Sequence, residues 1–170
     1  MSKSCSLTGK KPCQVAAFLA NSYLNDKEDE ERIFGMLRSQ VREEVFKILF
    51  RYPFAKEEME EQIAFSMEEL EGKSEENLSY IKNKVNAIIE HRVEIDETIQ
   101  ANCDGWNLNR IGKAEIAIMR IAGYELLFEK EIPESVSINE AVELTKNYCD
   151  EDAKGFVNAV LGKVTKNIGK

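Results

Sequence analysis

Lys113-Ala114-Glu115-Ile116-Ala117-Ile118-Met119-Arg120-Ile121-Ala122-Gly123-Tyr124-Glu125-Leu126-Leu127-Phe128 is the stretch that decides the fold. It contains no proline, and Ile116, Ile118, Met119, Ile121, Ala122, Leu126 and Leu127 leave it apolar on nearly every side. A helix apolar all round belongs inside a protein, with other helices packed about it. The spacing therefore predicts a central buried helix over 113–128.

Working outward, Pro133 separates this helix from a second over Ser137–Tyr148, whose face is marked by Ile138, Ala141, Val142 and Leu144. Cys149–Asp152 reads as a short turn. A last helix follows over Ala153–Val164, with Phe156, Val157, Val160, Leu161 and Val164 inward. Upstream, Asn102-Cys103-Asp104-Gly105 is the clearest break in the chain. Before it, Ser74-Glu75-Glu76-Asn77 places a small capping residue and two acids at the positive end of a helix. Its stripe is Leu78, Ile81, Val85, Ile88 and Ile89, and it runs on with a bend through Val93, Ile95 and Ile99 to about Ala101. Ala55–Leu70 is predicted helical, stopped at Gly72. Ile33, Leu37, Val41, Val45, Ile48 and Leu49 predict a helix from Ile33 to Pro53. Gln14–Leu24, opened by Pro12, is a further short one.

This reading gives six or seven helices and no strand, an all-α chain. It divides into an N-terminal extension (1–37, one short helix and an acidic linker), a helical subdomain (38–103) and a second helical subdomain (104–170). Composition agrees: 170 residues hold only 3 Pro and 9 Gly, with 43% hydrophobic and 32% charged residues. Such a chain is long enough to bury a self-standing core. The net charge of -8 argues against a general nucleic-acid binder, since phosphate affinity comes mainly from Lys and Arg. The acid is concentrated in the middle third.

No apolar run approaches the roughly 18 residues of a membrane span, and the start lacks a signal-peptide apolar core, so the expected location is the cytoplasm. Cys5, Cys13, Cys103 and Cys149 are scattered, with His91 the single histidine. They are expected to be ordinary reduced thiols without a bound metal. With no GxSxG, no phosphate-binding glycine loop and no clustered metal ligands, neither an enzyme nor a cofactor is expected.

Three blocks then carry a resemblance. Ala117–Leu126 is followed by Ile132-Pro133. Next comes Val136-Ser137-Ile138-Asn139-Glu140-Ala141-Val142-Glu143-Leu144-Thr145-Lys146. Last comes Phe156-Val157-Asn158-Ala159-Val160-Leu161. In this order and spacing they resemble the NusB family of transcription antitermination factors. Arg38-Ser39-Gln40-Val41-Arg42-Glu43, leading to Leu49-Phe50, resembles the family's arginine-rich first helix, which usually ends in Leu-Tyr. The resemblance covers about Arg38 to Val164.

It implies an all-α fold of two small helical subdomains. It also implies binding of a boxA-type single-stranded RNA in ribosomal RNA operon leaders, pairing with the ribosomal protein NusE, and action within an RNA polymerase antitermination complex. The RNA-binding residues it implies are Arg38, Arg42, Phe50, Arg120, Tyr148, Asp152 and Phe156. Arg38 and Arg42 stand one helical turn apart, where each guanidinium can take a phosphate. The other reading is two solvated arginines paired with Glu43 or Glu44. Phe50, Tyr148 and Phe156 offer stacking faces to bases, with a core role open for Phe156. Arg120 needs a partner inside an apolar helix, either Glu115 or Glu140, or the RNA. Asp152 can accept from base amino groups or cap the last helix. Asn139 reads as a structural hydrogen-bonding residue.

The acidic stretch Glu57–Glu76 has the sign to meet a basic partner. A NusB-like domain also precedes some ribosomal RNA cytosine methyltransferases, but the dinucleotide-type domain those need is not found in this sequence. The competing function is a protein-interaction module of the NusB fold that has weakened or lost RNA binding. Self-association to a homodimer and the role of residues 1–37 are left open by the sequence.

Overall fold

A computed structural model describes residues 32–33, 36–54, 57–70 and 74–168. The helix expected over Gln14–Leu24, and Cys5 and Cys13, lie outside the described residues. Among the described residues, two short strands, β1 (Arg32–Ile33) and β2 (Met36–Leu37), precede seven α-helices. These are α1 (Arg38–Arg51), α2 (Met59–Glu69), α3 (Glu75–Glu90), α4 (Arg92–Ala101), α5 (Lys113–Phe128), α6 (Glu134–Tyr148) and α7 (Ala153–Ile168). A 3-10 turn spans Leu108–Arg110.

The expected central helix is α5. It packs against α1, α3, α4, α6 and α7. Ile118 and Met119 have no exposure, and Ile116, Ile121, Ala122 and Leu126 are also buried. Each such isoleucine, leucine or methionine side chain contributes roughly 1.5–3 kcal/mol through burial. Gly123 lets α4 come close, since a Cβ there would lie 2.9 Å from Ile95 Cγ2. Buried residues of both halves, from Val41 to Val164, form one continuous cluster.

Local signals explain several helix ends. Ser74 Oγ accepts from Asn77 N–H at 3.3 Å, and Glu75 and Glu76 fill the first turn of α3. His91 separates α3 from α4, which is the expected bend. At the break after α4 the chain reverses through Asp104 (φ 37°) and Gly105 (φ 83°), the left-handed region that glycine enters without a Cβ penalty.

Two elements differ from expectation. The first helix begins at Arg38, not Ile33. Ile33 and Leu37 belong instead to an antiparallel strand pair, with Arg32 opposite Leu37 and Ile33 opposite Met36. Gly35 is a poor helix former. Gln40 Oε1 accepts from Leu37 N–H at 3.2 Å, closing the start of α1 where it stands. The second helix starts at Met59, and Pro53, Phe54, Glu57 and Glu58 lie in turns.

Candidate nucleic-acid interface

The first turn of α5 is where three clefts meet. Lys113 lines one, Ala114 the second, Gly112 and Glu115 the third. The second cleft is aromatic. It encloses about 280 Å³ between Phe46, Lys47, Phe50, Arg51, Ala114 and Tyr148. The Phe46 and Tyr148 ring centroids are 4.6 Å apart, and Phe46 and Phe50 are 6.0 Å apart. Phe54 continues the row, edge-on to Phe50 at 6.1 Å. Phe50 (39%), Phe54 (72%) and Tyr148 (40%) keep substantial exposure.

Sequence spacing accounts for this row. Phe46, Phe50 and Phe54 recur every four residues, the first two on one face of α1. Tyr148 closes α6 and donates its hydroxyl to Glu43 Oε1 at 2.5 Å, tying the end of α6 to α1. That bond raises the Tyr148 phenol above its ordinary pKa and lowers the Glu43 carboxyl.

The third cleft, about 310 Å³, lies between Trp106, Arg110, Glu115, Asp152 and Phe156. Trp106 is 59% exposed and meets the Phe156 ring edge-on at 6.2 Å. Phe156 is half-buried, packed on the core, and lines the cleft. Asp152 is exposed just before α7. Beside it, burial and then the Glu115 carboxylate push the Cys149 thiol up to about 11.

The remaining cleft, about 430 Å³, is polar and holds Arg92, Asp96, Lys113 and Arg120. Arg120 donates from Nε and Nη2 to both carboxylate oxygens of Asp96, at 2.8 and 2.9 Å. Its partner is therefore Asp96 on α4, neither Glu115 nor Glu140. The pair still borders the open cleft.

Arg42 departs furthest from the sequence reading. It is 4% exposed. Its Nε and Nη2 donate to Glu125 at 2.9 and 3.2 Å, and its Nη1 lies 3.5 Å from Glu140. It is neither a solvated arginine paired with Glu43 or Glu44 nor on an open face with Arg38. Glu125 also accepts from Lys84 Nζ at 2.8 Å and Ser137 Oγ at 2.8 Å. Burial alone would raise the Glu125 carboxyl, but Lys84 and Arg42 outweigh it and hold it below the usual carboxylate value. Arg38, half-buried, stands at the start of α1, away from the aromatic row.

The structure thus brings Phe50 and Tyr148 together, and Asp152 and Phe156 together, in two clefts joined at Ala114 and Glu115. It sets Arg120 in a third and takes Arg42 inside. Phe46, Phe54, Trp106, Arg110 and Asp96 are candidate site residues that the sequence reading passed over. The four-residue spacing to Phe50 was a usable signal for Phe46 and Phe54, whereas nothing local announces Asp96. Among the described residues no cluster of three His, Cys, Asp or Glu is placed to hold a metal. No described helix is long and apolar enough to cross a membrane.

The helical arrangement is that of solved NusB structures. T. maritima NusB superposes with a TM-score of 0.71 at 33% identity, covering 77% of this chain and 92% of that one. A structure of antitermination factors NusB and NusE in complex with double-stranded RNA superposes at 0.69 with 30% identity, covering 76% and 96%. The model of the NusB family matches residues 39–166. A transcription antitermination protein NusB from Agathobacter rectalis is 48% identical over 129 residues, 75% of this chain and 98% of its own length. One from Lachnoclostridium phytofermentans is 41% identical over 130 residues, 76% and 98%. This chain belongs to the NusB family.

Proposed function

We propose that this protein is a transcription antitermination factor that binds boxA-type single-stranded RNA from ribosomal RNA operon leaders together with NusE. It does so within an antitermination complex of RNA polymerase. The observation that carries the reading is the NusB fold solved with NusE and RNA, which covers 96% of that relative's chain at 30% identity.

The geometry supplies a physical route. A strand laid across the first turn of α5 meets Phe50 and Tyr148 on one side, Trp106 and Phe156 on the other. Unstacked bases gain roughly 1–3 kcal/mol each by stacking on such rings. Arg110 and Lys113 at the clefts' edges offer charge to phosphates, Arg120 borders the polar cleft, and Asp152 accepts from base amino groups. On α1, Arg38 adds a cation at the helix start, and Lys47 and Arg51 line the aromatic cleft.

Fluorescence anisotropy of a boxA-type strand and of a duplex, with and without NusE, at two salt concentrations, tests the reading. The strand should bind more tightly with NusE, and salt should weaken it with a log–log slope of about -0.7 per phosphate contact. NusE binding without RNA binding under any condition would instead support a protein-interaction module. The burial of Arg42 favours that second reading, because it removes a guanidinium from the surface.

A further inference from the structure

The polar cleft of about 430 Å³ between α4, α5 and the end of α1 holds positive charge in an acidic chain. Three cations line it, Arg92, Lys113 and Arg120, against one carboxylate, Asp96. The Trp106 cleft has the opposite balance, with Arg110 against Glu115, Asp150 and Asp152. A concave surface lined by an excess of one sign concentrates counter-ions, and here the counter-ion is an anion.

Helix packing explains how the charges converge. Gly123 lets α4 approach α5 at Ile95. Asp96 is the next residue along α4, and Arg120 stands three residues before Gly123, on the same side of α5. Arg120 Nη2 donates to Asp96 Oδ2 at 2.9 Å, and Arg92 Nη1 lies 3.9 Å from that same oxygen. At that length Arg92 makes no hydrogen bond to it. The ring of Tyr52 holds Arg92 from another side, its centroid 5.7 Å from the guanidinium carbon. Two guanidiniums thus converge on an acid that can neutralise one of them. Asp96 takes two of the five N–H donors of Arg120 and leaves the others for a ligand. Lys113 adds a third charge at the exposed rim. Forked donors in fixed positions are what the oxygens of a phosphate group take best.

We infer that this cleft is a phosphate-binding site. Arg92 and Arg120 are its two donors, and Asp96 is a positioning residue that fixes the Arg120 fork. The phosphate comes from the RNA strand. Lys113 immediately precedes Ala114 of the aromatic cleft, so a strand stacked on Phe50 and Tyr148 carries its backbone to the cleft's mouth. That source rests on the RNA reading above; the phosphate site stands without it.

The unaltered protein tests the site first. In isotope-labelled protein, pyrophosphate should shift the Nε–Hε nuclear magnetic resonance signals of Arg92 and Arg120 saturably, and acetate at matched ionic strength should not. A response that does not saturate, or an equal one to acetate, overturns the phosphate site. The second measurement is anisotropy of a boxA-type strand with NusE present. Arg92→Gln and Arg120→Gln should each weaken binding about tenfold, the scale of a charge-assisted hydrogen bond, and make the log–log salt slope shallower by about 0.7. Asp96→Asn decides the positioning role by its sign. Removing an acid beside a polyanion by itself tightens binding. Loosening the Arg120 fork should instead weaken it, by about threefold. In an Arg120→Gln background the same change should tighten binding. Tightening in the parent background overturns the positioning role. Unchanged affinity and slope in Arg92→Gln and Arg120→Gln overturn RNA as the source and leave the cleft to a free phosphate compound. If no protein binds RNA, the parent included, the functional reading fails, and the pyrophosphate titration alone decides the cleft.

Discussion

Arg42 on α1 grips Glu125 on α5 through two hydrogen bonds, Nε to Oε1 at 2.9 Å and Nη2 to Oε2 at 3.2 Å, across 83 residues of chain. Lys84 of α3 and Ser137 of α6 donate to the same carboxylate. Four helices thus meet at one anion that is 1% exposed. Removing one partner of a buried ion pair leaves the other uncompensated and costs about 3–5 kcal/mol. Glu125→Ala should lower the unfolding free energy by that much, seen as a lower urea midpoint with an unchanged m-value. A loss under about 1 kcal/mol would show the network to be dispensable.

The same network sets the pH dependence of stability. The folded Glu125 carboxyl lies below its ordinary value, so its contribution is present above the usual carboxylate range and is lost as pH falls through the lowered folded value. For Lys84, burial opposes the charge but Glu125 and Glu129 outweigh it, and its pKa is raised. That contribution is complete below about pH 10.4 and is lost as pH rises through the raised folded value. Stability should be flat between these limits. In urea titrations at stepped pH, Glu125→Gln should flatten the acid limb. An acid limb identical to that of the parent protein would place the sensitivity elsewhere.

Tyr148 separates stacking from hydrogen bonding. Tyr148→Phe removes the hydroxyl bonded to Glu43 and keeps the ring 4.6 Å from Phe46. Tyr148→Ala removes both. If the ring stacks on a base, the alanine variant loses roughly 1–3 kcal/mol of RNA affinity and the phenylalanine variant far less. Equal losses in anisotropy titrations would assign the effect to the hydroxyl tie between α6 and α1.

Much of the fold was legible in local sequence, and the failures share a cause. The α5 run was readable because its burial is written on all its sides, and α3 because Ser74, Glu75 and Glu76 spell out its start. The first helix was over-extended because Ile33, Leu37 and Val41 keep helical spacing, although the backbone of the first two pairs as strands. Of the candidate site, Phe50 and Tyr148 were named from the sequence, but their meeting needs α1 and α6 side by side. Arg42 was misplaced because its partner lies on a helix 83 residues away. Arg120 was given the wrong acid for the same reason, with Asp96 on α4 24 residues off. Periodicity tells which face turns inward; it does not say which charges follow it.

Two glycines should respond oppositely to alanine. At Gly123 a Cβ would meet the branched Ile95 Cγ2 at 2.9 Å, which cannot swing clear, so Gly123→Ala should destabilise by about 1–3 kcal/mol despite better helix propensity. At Gly162, within α7, nothing lies within 4 Å of that position, and Gly162→Ala should stabilise by up to about 1 kcal/mol. Thermal melts of the two variants decide this. A stabilised Gly123→Ala would mean that α4 and α5 are less closely packed than described.

The central claim is met most directly by terminator read-through in a purified transcription system containing RNA polymerase and NusE, on templates with and without a boxA-type leader. The account predicts that adding this protein raises read-through only when both the leader element and NusE are present. Unchanged read-through with folded protein bound to NusE, or an increase independent of the leader, would contradict it.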